Sequence, residues 1–146
     1  MSTDPRNVIL ARISTGLSEM LGSMGAHATM RDMGTHSSAE LWPDWPTDVP
    51  EEEACSLLQE ALSNIGIFRK VEMTPDGDKV DILIHECEFN KLGQIESHPV
   101  GERAICFFGF GLIEKSLERL TGKQYRVELK HHDAASDTCH EIATSR

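Results

Sequence analysis

Six side chains able to bind a metal crowd the stretch from Gly101 to Glu141: Cys106, Glu128, His131, His132, Cys139 and His140. A tetrahedral ion such as zinc takes four thiolate, imidazole or carboxylate ligands that the fold brings to one point. A terminal hairpin can supply three of them, with Glu128 and His131 leaving its first strand and Cys139 opening its second. Cys106 completes the set from a preceding helix. A bulge at the strand end would exchange His131 for His132, because one extra residue reverses which side chain points inward. The same residues also read as a core thiol, an edge thiol and a solvated turn, since no C-x-x-C pair marks them as ligands. A nucleophilic Cys106 or Cys139 served by a histidine base is a third chemistry, but no recognisable catalytic motif surrounds either thiol.

The elements that must position these residues follow from periodicity and punctuation. Asp4-Pro5 is an N-cap followed by proline in the first turn, and Val8, Ile9, Ile13, Leu17, Met20 and Leu21 recur at helical spacing. This predicts a helix over residues 5–24, stopped by Gly25, with a weaker helical turn or two over 27–39. The segment LWPDWPTDVPEEE holds Trp42, Trp45 and three prolines, so it reads as an ordered connector whose indoles cover the core. Glu51, Glu52 and Glu53 suit a helix start, and Ala54, Leu57, Leu58, Ala61, Leu62 and Ile65 form its apolar stripe up to Gly66.

Alternating apolar residues on both sides of Pro75-Asp76-Gly77-Asp78 predict a hairpin with strands over 67–73 and 79–87. A regular pleat puts Val80, Ile82 and Ile84 on one face and Leu83, His85 and Cys87 on the other. After a loop over 90–97, His98-Pro99 opens a long helix that stops at Gly122. Cys106, Phe110, Ile113, Leu117 and Leu120 make its apolar seam. Gly109 and Gly111 each cost that helix about 1 kcal/mol relative to alanine, which implies close approach of another backbone or of a ligand. Strands over 124–130 and 138–143 flank a polar turn. The expected fold is α+β: N-terminal helices plus a four-stranded antiparallel sheet of two hairpins packed on a long helix. Residues 1–146 read as a single domain, with 1–50 as its helical N-terminal part and Pro-rich connector.

Charge narrows the partners. The formal net charge of −10 disfavours nucleic acid and anionic membrane surfaces, whose binding uses lysine and arginine. No apolar run is long enough to span a bilayer, and the N-terminus lacks a signal-peptide pattern, so a cytoplasmic location is expected. Four scattered cysteines then read as thiols or metal ligands rather than as disulfides.

Gly109-Phe110, Leu120-Thr121-Gly122, Val127-Glu128, His131, Asp137 and Cys139 together form a pattern that resembles the 4-vinyl reductase (hydrocarbon-binding) domain family. That family belongs with the small subunits of the TRAPP vesicle-tethering complex and with haem-binding nitric oxide sensors. In its zinc-binding members the resemblance implies a helix cysteine, a strand glutamate and two hairpin cysteines as ligands, which fall on Cys106, Glu128, His131 and Cys139. His131 stands where the family has cysteine. Cys87 has no place in the pattern.

The resulting expectation is a non-enzymatic module that binds a hydrophobic or aromatic small molecule between the long helix and the sheet. Phe107, Phe108, Phe110 and Trp42 would line the pocket, and a structural zinc would pin the hairpin to the helix. The resemblance also implies a homodimer or a subunit of a larger complex. The alternative is a redox or accessory subunit in which Cys87, Cys106 and Cys139 hold a reactive metal or an iron–sulfur cluster. The only G-x-G, Gly109-Phe110-Gly111, lies inside a helix, so no dinucleotide-binding loop is present.

Overall fold

The computed structural model describes residues 4–92 and 98–146. Helix α1 spans Pro5–Leu41, opened by the Asp4 carboxylate accepting from the Arg6 backbone N–H at 2.9 Å. It does not stop at Gly25. Gly22, at φ 73°, breaks it into two arms, and the second arm continues to Leu41. That arm was faint in the sequence because its buried stripe is Ala26, Met30, Gly34 and Ser38, mostly small residues rather than large apolar ones.

Small residues there serve a close helix crossing. Helix α3 (Ala104–Thr121) packs so tightly on this arm that a methyl at Gly34 would land on the Phe108 carbonyl, and one at Gly111 on the Arg31 carbonyl. The expectation that glycine in the long helix admits another backbone holds at Gly111. At Gly109 a methyl would meet nothing within 4 Å.

Helix α2 (Glu51–Asn64) buries Ala54, Cys55, Leu58 and Leu62. Its Gln59 and Ser63 side chains accept from the backbone N–H groups of Met73 (2.9 Å) and Val71 (3.0 Å), so it satisfies donors along the outer strand of the sheet. Strands β1 (Phe68–Asp76) and β2 (Lys79–Cys87) form the first hairpin. Strands β3 (Tyr125–Asp133) and β4 (Thr138–Ser145) form the second. The sheet order β1-β2-β4-β3 puts β4 in the interior beside β2. The α+β architecture expected from the pattern is the one observed. Among the described residues no helix is long and apolar enough to cross a membrane.

Two boundaries differ from expectation. The long helix begins at Ala104, not at His98, because residues 99–102 make a turn closed by Glu102 N–H to Pro99 C=O at 3.0 Å, with Gly101 at φ 89°. The Arg103 guanidinium, almost fully buried, holds that turn by donating to the carbonyls of His98 (2.8 Å), Phe89 (3.0 Å) and Asn90 (3.1 Å). The loop expected over 90–97 opens instead as the end of a 3₁₀ turn, Glu88–Leu92; positions 93–97 lie outside the described residues.

Candidate functional site

Cys106, Gly109 and Phe110 on α3 face β2 and β4 across a small internal cavity that Cys87, Cys139 and Glu141 also line. Its volume is about 30 Å³, room for one or two water molecules and not for an aromatic ring. Cys87 was expected on the outer face of β2. It is buried on the core side with Val80, Ile82 and Ile84, because the left-handed backbone at Glu86 (φ 52°) breaks the regular alternation just before it, while the register with β1 stays unchanged.

Burial dominates the electrostatics. Desolvation pushes the Cys87 thiol well above its ordinary pKa, raises Cys106 as well, and lifts Cys139 to about 12. Neutral thiols are poor nucleophiles, so nothing here activates a cysteine. The exceptional group is Glu141. It sits on an interior strand with Ile82 and Leu129 as its cross-strand neighbours, is 6% exposed, and its Oε1 has no hydrogen-bond partner. Burial raises its pKa to about 8, which leaves the carboxyl mostly protonated at neutral pH.

The bulge contemplated at the end of β3 is present, between Leu129 and His131. Beyond it His132 pairs with Cys139, and its Nε2 lies 2.9 Å from Asp137 Oδ1. The Asn90 amide ties this corner to the cavity, donating to Asp137 Oδ1 at 2.8 Å and to the Cys139 sulfur at 3.6 Å.

Of the four expected zinc ligands, the structure brings Cys106 and Cys139 to one cavity and leaves the other two outside. Glu128 alternates with the inward Val127 and Leu129, so its side chain is 67% exposed beside Lys130. His131 is exposed and pairs with His140. Among the described residues no three His, Cys, Asp or Glu side chains gather where they could hold an ion. The set Cys106, Glu128, His131 and Cys139 therefore does not fit a tetrahedral zinc, for the plain reason that strand alternation sends its members to opposite faces.

The four expected pocket residues also separate. Phe110 lines the cavity. Phe108 lines a larger groove, about 530 Å³, bounded by Leu10, Ile13, Met30 and Met33 of α1, Ile65 and Ile67 after α2, and Ile105, with Asp4, Arg6, Asn7 and Glu88 among its polar lining. Phe107 instead stacks on His27 with ring centres 3.8 Å apart, and the Arg31 guanidinium lies 5.3 Å from its ring centre. Trp42 stacks on Trp45 at 4.4 Å, and its carbonyl accepts from Arg119 at 2.7 Å, so it caps the end of α1 and lines neither space.

Phe89 links the two spaces. Its ring belongs to the wall of both and stands edge-on to Phe68 (6.3 Å) and to Phe108 (6.5 Å). Sequence reasoning missed Phe89, Glu141 and the α1 methionines. Glu141 had a signal, since it alternates in phase with Cys139 and Ala143 on a strand whose inward face is otherwise apolar.

Comparison with known proteins places the fold. No protein-family model matches the chain, and no curated protein matches it. Among solved structures it is similar to a trafficking protein particle complex subunit 3 from Naegleria fowleri, covalently bound to palmitic acid (13% identity, 97% of this chain and 95% of that one, TM-score 0.58). It is also similar to the phenol-responsive sensory domain of the transcription activator PoxR, solved with phenol (16% identity, 95% and 74%, TM-score 0.64). A third is a Cs H-NOX mutant carrying 4-cyano-L-phenylalanine (13% identity, 100% and 75%, TM-score 0.58). At these identities the likeness is one of fold.

Proposed function

We propose that this protein is a binding or sensory module for a hydrophobic or aromatic small molecule, held in the groove between α1 and α3. The observation that carries the reading is the groove itself: it falls within the usual range for small-molecule pockets, roughly 300–1,000 Å³, and its lining is mostly apolar. Phe89 separates it from the cavity of the unpartnered Glu141, so a ligand that displaces this ring gains a hydrogen-bonding group beyond an apolar wall. The shared fold supports the reading, since one solved relative in fold binds phenol and another carries palmitic acid. The resemblance to the 4-vinyl reductase domains points the same way, and we place the module in the cytoplasm.

Titration with phenol and with 4-alkylphenols of increasing chain length, followed by protein NMR, tests this. Shifts are expected at Met30, Phe89, Ile105 and Phe108, with affinity rising with chain length by about 0.8 kcal/mol per buried methylene. Phe108→Ala should weaken binding at least tenfold. Absence of any saturable shift across the series would sink the proposal.

A redox or accessory role is the second reading: Cys87, Cys106 and Cys139 all line one cavity, although their side chains do not converge there as the ligands of an ion. An iron–sulfur cluster would announce itself as visible charge-transfer absorption in protein purified without oxygen. A colourless, iron-free product removes this reading.

A further inference from the structure

The inner cavity carries a polar atom that no protein contact uses. Glu141 lies between Cys139 and Ala143 in the inward phase of β4, so strand alternation delivers its carboxyl to the core side of the sheet. The residue is 6% exposed, and its Oε1 finds no hydrogen-bond partner among the described residues. An apolar side chain at this position would avoid the cost of stripping water from a carboxyl. The other polar atoms around the cavity are weak or already engaged. Cys87, Cys106 and Cys139 offer thiols, which bond poorly, and the Asn90 amide nitrogen donates to Asp137 Oδ1 and to the Cys139 sulfur. The carbonyls of Phe89 and Asn90 accept from Arg103.

We propose that Glu141 selects the head group of the molecule bound in the groove, and that this molecule is hydroxyl-bearing rather than a bare hydrocarbon or a carboxylate. The proposal rests on the ligand reading above and adds to it the group that discriminates. The hydroxyl follows from need, size and charge. Oε1 lacks a donor, which a hydrocarbon cannot supply and a hydroxyl can. The cavity, at about 30 Å³, admits a hydroxyl and is too small for a carboxylate. No lysine, arginine or histidine is among the described residues that line it, so an anionic head would arrive unpaired beside a buried carboxyl.

The head reaches Oε1 past Phe89. That ring walls both spaces, so turning it aside joins the groove of about 530 Å³ to the cavity. The apolar body stays against Met30, Ile105 and Phe108 while the hydroxyl donates to Glu141.

Calorimetric titration of the full chain with 4-propylphenol, propylbenzene and 4-propylbenzoate tests the assignment in wild type, Glu141→Leu and Glu141→Gln. Wild type should bind the benzoate at least about tenfold more weakly than the phenol. Leucine removes the acceptor together with the unpartnered carboxyl, so this variant folds. It should move the phenol-to-hydrocarbon affinity ratio about tenfold or more toward the hydrocarbon, the effect of leaving a buried hydroxyl unpaired. Comparing ratios cancels the unequal cost of drawing the two compounds out of water. Glutamine keeps an acceptor oxygen at the same place and should hold the ratio within about threefold of wild type. The Glu141 carboxyl carbon resonance, identified as the one that the glutamine variant lacks, should shift with the phenol and not with propylbenzene. A ratio unchanged in Glu141→Leu overturns the assignment and leaves the groove reading standing, as a carboxyl served by trapped water alone would. Benzoate binding as tight as that of the phenol overturns the hydroxyl class. Saturable binding of none of the three compounds overturns both the assignment and the groove reading.

Discussion

Glu141→Gln should change the pH dependence of stability, because Glu141 is the one carboxyl among the described residues whose pKa burial raises. The carboxyl ionises near its ordinary value of 4.5 when the chain is unfolded and near 8 when it is folded. Below pH 4.5 it is protonated in both states and costs nothing. Between 4.5 and 8 the unfolded chain releases the proton while the folded one retains it, so folding loses about 1.4 kcal/mol per pH unit. Above 8 both states are ionised and the loss levels off. Across the 3.5-unit window the loss amounts to about 4–5 kcal/mol, a large share of the 5–15 kcal/mol that holds a typical domain together. Glutamine keeps the shape and cannot ionise. Urea unfolding of both proteins at pH 5, 6, 7 and 8.5 isolates the effect, because all other titrations cancel in the difference. The variant should gain steadily on the wild type up to pH 8. Parallel stability curves would refute the assignment of a buried, unpaired carboxyl.

Three further outcomes follow from the packing. Gly111→Ala should destabilise by about 1–3 kcal/mol despite better helix propensity, since its methyl meets the Arg31 carbonyl, whereas Gly109→Ala should stabilise by up to about 1 kcal/mol; thermal melts of the two variants distinguish them. Arg103→Met should cost about 2–4 kcal/mol by urea unfolding, because the carbonyls of Phe89 and Asn90 lose a buried cationic donor. A thiol reagent should modify Cys106 first in the folded protein, as the one half-exposed cysteine, with Cys55 and Cys87 reacting only on unfolding; peptide mapping over time reads the order.

The architecture was legible wherever a single periodicity ruled a segment. The stripe of α2, the two hairpins and the seam of α3 all show large apolar residues at regular spacing, and each element formed close to where that spacing put it. The second arm of α1 was faint because close packing selects Gly34 and Ser38 there, and small residues carry little hydrophobic signal. The start of α3 was misplaced because Arg103, a residue normally assigned to solvent, is buried as the clasp of a turn. The site failed at the level of parity. Glu128 and His131 have the right chemistry and the right distance along the chain, but one position of alternation decides whether a strand residue meets the helix or the solvent, and the left-handed backbone at Glu86 and the bulge after Leu129 redraw that parity.

The reciprocal glycines at the crossing of α1 and α3 have a bearing on ancestry. Each occupies the spot against which the other helix's backbone rests, so neither can acquire a side chain unless the two rods move apart, and a single step of drift at either place is penalised while the other stays as it is. Distant kin of this chain should thus have kept both positions or exchanged them together, along with the gap between the helices. Tracing that coupled pair through divergent genomes would recover relatives that a search keyed to cysteine or histidine overlooks.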